Sequence, residues 1–400
     1  MKSLVLKVKA FPEVSETWMF TIIKLAKSKG VKIFVLTDLI QDFSKVHFNP
    51  TIPIVSTENF DGIKFSNRKR QALKMLVKKP YLIRFYIKYF FLKKKHSLNY
   101  IFRLYNYSKY RDIEVFHVHF ANASKPLDEL KAIGFIKGKI IVTCHGYDVH
   151  FMNEKKRLYL SKLYETIFNQ VDIITVNGSY LYEKVLKLTT NFNKLNIVKV
   201  GADETIFQPT IYPKSISSNS TINLISVGRL KKLKGHDFAI MAVSKLVNLG
   251  YDIIYRVVGE GKNRNYLENL ITKYKLEKRV FLLGAMEQQD IAKYLDDSQL
   301  FLMSSVTDQN NRAEAQGLVL AEAQLMGLPI VAFDSGGVNE SLSENTGILV
   351  FEKDYEAMAN AIIEIIGDVA KYKMMSRKSR LLALERLSSE NMYKSYYNLI

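Results

Sequence analysis

From Glu114 onward, short β-branched or aromatic runs alternate with longer helical patterns, and this alternation restricts the fold more than any other feature of the chain. Strands separated by helix-length segments pair in parallel, with the helices covering the sheet faces. The expected strands are Glu114–His119, Lys139–Cys144, Asp172–Val176, Asn196–Val200, Ile222–Val227, Ile253–Val258, Arg279–Leu283, Gln299–Met303 and Pro329–Phe333, with Met1–Lys9 as a first strand before them. That is too many for one small domain, and 400 residues exceed what one core usually organises. The rhythm breaks at Gln208–Thr221, which is rich in Pro, Ser, Thr and Asn. The expectation is an α/β chain of two domains, 1–205 and 222–385, joined by a linker at 206–221. The sequence after Asp354 reads as helical, with 386–400 packing back on the first domain.

Composition narrows the class. Hydrophobic residues make up 48% of the chain and the mean hydropathy is −0.06, as in a globular protein with true cores. A single cysteine, Cys144, excludes an intramolecular disulfide and fits a reducing compartment. The N-terminus has no long apolar segment of the secretory kind, and no apolar run reaches the ~18 residues needed to span a bilayer. The expected location is cytoplasmic, peripheral on the inner face of the membrane. Net charge is +19, and the segment Lys64–Arg111 holds fifteen Lys and Arg and no Asp or Glu. Within it, Pro80–Lys95 mixes cations with aromatics, which suits an anionic membrane surface carrying a lipid-linked or glycan acceptor. The rival reading is a solvated helix with aromatics buried beneath it.

The densest motif runs from Arg312 to Gly337. A helix is expected from near Gly317 to Gly327, and at about 100° per residue Leu318, Val319, Leu325 and Met326 form an apolar arc centred on Glu322. A carboxylate there is buried and needs hydroxyls, a cation or another donor; a ribose diol qualifies, and so does an ion pair with Arg or Lys. Glu314 stands just before the helix, whose free N–H groups at Gly317, Leu318 and Val319 form an anion site suited to a diphosphate. Val227-Gly228-Arg229 and Lys234-Gly235 follow a strand, where ligands of open α/β sheets collect, so Arg229 and Lys234 are placed to clamp phosphate oxygens. In so lysine-rich a chain, Lys231, Lys232 and Lys234 also read as a solvated loop. Gly259-Glu260-Gly261 and Gly336-Gly337 suit either tight turns or close backbone approach.

In order and spacing these elements resemble the retaining glycosyltransferases of family 4, the GT-B fold, in which two Rossmann-like domains face each other across a cleft. The matching residues are the pair Glu314 and Glu322, Gly228-Arg229 with Lys234-Gly235, Val258–Gly261, and Gly327-Leu328-Pro329 with Gly336–Glu340. The resemblance implies that Arg229 and Lys234 hold the diphosphate of a nucleotide-sugar donor, that Glu322 binds ribose hydroxyls, that Glu314 contacts the donor sugar, and that configuration is retained. The family commonly has Glu-Gly-Phe or Glu-Gly-Leu where this chain has Glu314-Ala315-Gln316, a departure where the donor sugar is expected.

In the first domain, Thr143-Cys144-His145-Gly146-Tyr147-Asp148 follows a strand; the family places a His beside the reacting sugar, so His145 becomes a catalytic candidate, with Asp148 facing the acceptor. Phe11-Pro12…Ser15-Glu16-Thr17 resembles the version found in bacterial exopolysaccharide, lipopolysaccharide and capsule transferases and makes Glu16 a contact to acceptor or sugar, against an N-cap at Ser15 or Thr17. His117 and His119 share a strand face without a third ligand, which favours packing over chelation. No Asp-x-Asp occurs, so neither metal nor other cofactor is expected. A sugar-nucleotide epimerase on the same fold, or a basic nucleic-acid- or membrane-binding protein without catalysis, are the rival functions; a pI near 9.5 suits the latter, but it leaves an inward Glu322 unexplained, and nucleic acid is not the expected partner.

Overall fold

The computed structural model describes residues 1–13, 16–46, 51–61, 67–217 and 220–400. Ser15, considered as an N-cap, Lys64 at the head of the basic segment, and Ser218 and Asn219 of the expected linker lie outside them. The chain forms two compact units: Met1–Val176 with Leu181–Ile197 and Tyr397–Ile400, and Asn177–Tyr180 with Val198–Tyr396. The division therefore falls at Ile197/Val198, and the Pro- and Ser-rich stretch belongs to the second unit. Composition misplaced it because such residues mark irregular backbone anywhere, and here that backbone is anchored: Lys214 N donates to Ser376 Oγ at 2.9 Å, and Tyr212 OH to Arg377 O at 2.6 Å. Of the C-terminal segment, only Tyr397–Ile400 joins the first unit; Tyr397 OH lies 3.1 Å from His117 Nδ1.

The first unit contains a seven-stranded parallel sheet of β1 (Ser3–Phe11), β2 (Lys32–Ile40), β3 (Ile54–Ser56), β4 (Val115–His119), β5 (Lys139–Cys144), β6 (Ile173–Val176) and β7 (Leu195–Ile197), in the order β3-β2-β1-β4-β5-β6-β7. The second holds β8 (Ile222–Val227), β9 (Ile253–Val258), β10 (Val280–Gly284), β11 (Leu300–Met303), β12 (Ile330–Phe333) and β13 (Gly347–Val350), in the order β10-β9-β8-β11-β12-β13, again all parallel. Sequence periodicity missed β2, β3 and β13, and the expected strand Asn196–Val200 shortens to Leu195–Ile197. β3 and β13 lie at sheet edges, where short strands carry a weak apolar signal.

Helices on both faces remove the inside–outside alternation and leave continuous apolar strands. In β8, Ile222 and Leu224 join a core with Tyr255, Leu300 and Val331 on one face, and Ile225 and Val227 join another with Phe301, Met303 and Leu320 on the opposite face. Strand order reverses between β1 and β4 in one unit and between β8 and β11 in the other, so the loops leaving these strands splay apart and open a crevice at their C-terminal ends. Every sequence-predicted site residue lies on a segment that follows β1, β5, β8 or β11.

Candidate functional site

In the second unit, β8 ends at Val227, and the turn through Gly228 leaves Arg229 exposed. Lys234 folds back over Gly228, its stem 3.5 Å from where a Cβ at that glycine would stand, and its Nζ lies 2.5 Å from Glu314 Oε2. It is thus no solvated lysine, whereas Lys231 and Lys232 are exposed. Gly235 has φ +59 and a Cβ there would fall 1.9 Å from Ser304 O, so the His236–Asn248 helix begins at a close approach only glycine permits. Gly259 (φ +145) plays the same part against Gly228 O at 2.0 Å, and Leu230 N donates to Glu260 O at 2.9 Å. The second glycine pair is therefore a packing contact that fixes the Gly228–Leu230 turn.

The segment after β11 carries Glu314. Asp308 shapes its turn by accepting from Asn310 N (2.8 Å) and Arg312 N (3.0 Å), and Tyr180 OH donates to Asn311 O (3.1 Å) and accepts from Ala313 N (3.2 Å). Glu314 O accepts from Gly337 N at 2.9 Å, and a Cβ on Gly337 would meet Ala315 O at 2.1 Å. Gln316, expected at the donor sugar, is buried instead with its amide spent on backbone: Oε1 accepts from Val200 N and Nε2 donates to Val200 O, each at 2.8 Å. At this position the departure from the common family pattern is structural.

Gly317 (φ +79) turns the chain into the Leu318–Leu325 helix, which has no side-chain cap; among the described residues no acceptor meets the N–H of Gly317, Leu318 or Val319. The expected apolar arc is in fact a helix buried nearly all round: Leu320, Ala321, Ala323 and Leu325 are in the core, while Leu318 and Val319 are only half-buried. Glu322 on this helix is 5% exposed. No cation pairs with it among the described residues; its partner is the Gln288 side chain, and burial pushes its carboxyl up to about 7. That disposes of the ion-pair alternative and leaves a buried carboxyl with lone pairs to spare, one helical turn behind three free N–H groups.

In the first unit, Trp18, the sole tryptophan, stacks on His145 (ring centroids 4.5 Å, 20° between planes) and packs 4.4 Å from His119. His119 Nδ1 and His145 Nε2 share a hydrogen bond of 3.1 Å, so one imidazole donates and the other accepts. His117 packs against His119 with the rings tilted 31° and their centroids 4.0 Å apart, and bonds Thr143 Oγ1 at 2.7 Å. The histidine pair of β4 thus packs and hydrogen-bonds, and among the described residues no three His, Cys, Asp or Glu converge as metal ligands. Burial keeps these imidazoles neutral, pushing His145 and His117 down to about 3. Asp148, expected to face the acceptor, is buried and accepts from Ala121 N (2.8 Å), His145 N (3.1 Å) and Gly146 N (3.0 Å). These bonds hold the turn after β4, where Phe120 has φ +71, a strained conformation for a phenylalanine. The half-buried Glu16 has no hydrogen-bonding or ionic side-chain partner among the described residues, and burial, with the nearby Glu13 carboxylate second, pushes it up to about 8. Trp18, His119 and Phe120 were missed as site residues; a lone Trp two positions from Glu16 and a His at a strand end were the available signals.

Two doubly wound parallel-sheet units, each with polar residues at its switch point, define a GT-B-type fold, and no closed barrel is present among the described residues. Residues 208–382 match the glycosyl transferases group 1 family, so the chain carries a group 1 glycosyl transferase domain. It is 29% identical over 251 residues to the putative colanic acid biosynthesis glycosyltransferase WcaL of Escherichia coli, covering 62% of this chain and 60% of that protein. It is 27% identical over 256 residues to the amylovoran biosynthesis glycosyltransferase AmsK of Erwinia amylovora, covering 63% and 61%. The matched region thus spans about three fifths of these curated relatives. Among solved structures, Anabaena HepE in complex with UDP superposes with a TM-score of 0.73 at 17% identity, over 100% of this chain and 99% of that one.

Proposed function

We propose that this protein is a retaining glycosyltransferase of exopolysaccharide or related cell-surface glycan synthesis, moving a sugar from a nucleoside-diphosphate donor to a hydroxyl of a lipid-linked or polysaccharide acceptor at an anionic membrane surface. The observation that carries the donor assignment is Glu322: a buried carboxyl with no cation partner among the described residues, directly behind helix N–H groups that meet no acceptor among them. Ribose hydroxyls supply the donors it lacks, and the N–H groups of Gly317, Leu318 and Val319, with Lys234 and Arg229, receive the diphosphate. The relatives named for colanic acid and amylovoran synthesis, and the UDP bound to Anabaena HepE, support the same class.

In the reaction, the bond from the anomeric carbon to phosphate breaks and one to the acceptor oxygen forms, while the departing phosphate oxygen takes the acceptor proton. Stabilising the charge that grows on that phosphate is the main task, and fixed N–H dipoles with Lys234 meet it without reorganisation. Glu314 pairs with Lys234 in the ligand-free protein and, on donor binding, releases it to phosphate and turns to sugar hydroxyls. In the first unit His145 is a neutral hydrogen-bonding group beside the reacting sugar, and Glu16, protonated at neutral pH, donates to an acceptor or sugar hydroxyl.

Calorimetric titration with UDP, GDP, ADP and dTDP tests this. One of them binds the wild type, and Glu322→Ala and Arg229→Ala weaken it at least tenfold, about 1.4 kcal/mol; unchanged binding in both variants would remove the site assignment. Conversion of the donor sugar without any acceptor would favour an epimerase instead.

A further inference from the structure

We infer that the helices Arg68–Lys78 and Leu82–Lys93 form a docking plate whose outward apolar side chains enter the interfacial layer of an anionic lipid bilayer. The second helix is apolar on two opposite sides. Leu82, Phe85 and Tyr89 face the core at 0–2% exposure, while Ile83, Ile87, Phe90 and Phe91 recur at the same helical spacing on the far side, with Phe91 69% exposed. On the first helix Ala72 is buried, and Leu73 and Val77, one turn apart, point outward at 63% and 72%. Scattered exposed aliphatics need no explanation, but an ordered stripe opposite an already buried face does.

Charge selects the occupant. Residues 67–111 contain no Asp or Glu, and Lys74, Arg84, Lys94 and Lys95 are exposed around the stripe. The acids that neutralise part of this segment come from elsewhere and act on its inner side: Asp61 and Glu129 bind Arg103 (each 2.7 Å), and Glu129 also pairs with Lys93. Those contacts, with the buried Tyr89, anchor the helices, and no acid among the described residues pairs with the outward Lys74, Arg84, Lys94 or Lys95. Nucleic acid would use the cations but has no use for Leu73, Val77, Ile83 and Ile87. An anionic bilayer uses both, phosphates meeting the lysines and acyl chains the aliphatics. No helix among the described residues is long and apolar enough to cross a membrane, so the contact is interfacial. The inference rests on the proposed function only in that a lipid-borne acceptor gives the plate its purpose.

The test uses the full chain with vesicles of phosphatidylcholine alone or mixed with phosphatidylglycerol. The wild type co-sediments with the mixed vesicles, and Ile87→Gln with Phe91→Gln lowers the partition coefficient about tenfold or more. Lys94→Gln and Lys95→Gln each cost about fivefold. Because the one native tryptophan, Trp18, is buried, Phe91→Trp reports the plate: its emission shifts to the blue and is quenched by lipids brominated in the acyl chain. A Phe91→Trp protein that sediments with vesicles yet keeps water-exposed, unquenched emission overturns the inference. So does vesicle binding indifferent to Ile87→Gln and Phe91→Gln, or binding to a random oligonucleotide with none to vesicles. These surface variants keep wild-type thermal unfolding and nucleoside-diphosphate binding; absence of nucleotide binding in the wild type would instead count against the transferase reading and leave the vesicle result standing.

Discussion

Glu322 and Glu16 are both carboxyls that the fold has desolvated without a cation partner among the described residues, and each carries a testable titration. Glu322 sits at about 7 against an ordinary carboxyl value near 4.5, so the folded state binds the proton more tightly than the unfolded one. The sign follows: its contribution is fully present below about 4.5 and is lost as pH rises through 7, up to about 3 kcal/mol by linkage. Glu322→Gln flattens this pH dependence in denaturant titrations at pH 5 and 8 while weakening nucleotide binding; an unaltered pH slope would argue against the buried, protonated state. Glu16 titrates near 8. If its proton donates to a bound hydroxyl, wild-type turnover declines above pH 8, whereas Glu16→Gln keeps a donor there and loses that alkaline limb, as pH–rate profiles would show.

At the scale of elements, loops are held where glycines let backbones touch. A methyl on Gly337 would stand 2.1 Å from Ala315 O, so Gly337→Ala forces the Glu314–Gln316 segment to move and is expected to cost about 2 kcal/mol or more, read as a lower Tm and weaker donor binding together. Gln316→Leu strips Val200 of a donor and an acceptor in a buried setting and is expected to lose ~2–4 kcal/mol in chemical denaturation. A donor-sugar preference that changed with no loss of stability would restore Gln316 to the sugar. At the ends of β4 and β5 the depressed imidazoles set the opposite pH trend. The unfolded chain takes up protons below about 6.5 that His117 and His145 refuse down to about 3, so the first unit loses stability as pH falls across that window. Thermal unfolding followed by Trp18 fluorescence would show it.

For the whole molecule, the alternation of strand and helix signals was enough to specify two parallel α/β layers, because a parallel sheet buries both faces and its strands then stand out as continuous apolar runs. The local geometry of the motifs after β8 and β11 was equally legible: glycines that touch backbone, a carboxylate on an apolar helix and cations after a strand are local features, written within a few residues of each other. Partnership was not legible, since it joins residues far apart in sequence. Only the tertiary structure decided that Lys234 meets Glu314, that Gln316 is spent on Val200, that Asp148 props up a strained turn, and that Trp18 lies against His145. The boundary belongs with these. Pro and Ser report irregular backbone, but which core a segment joins depends on the packing that covers it, and that packing assigns 198–396 to one unit and the last four residues to the other. The sequence determined which chemistry stands at the ends of the central strands; the fold decided which of those groups remain free to use it, because a buried polar group is available to a ligand only when no neighbour has already satisfied it.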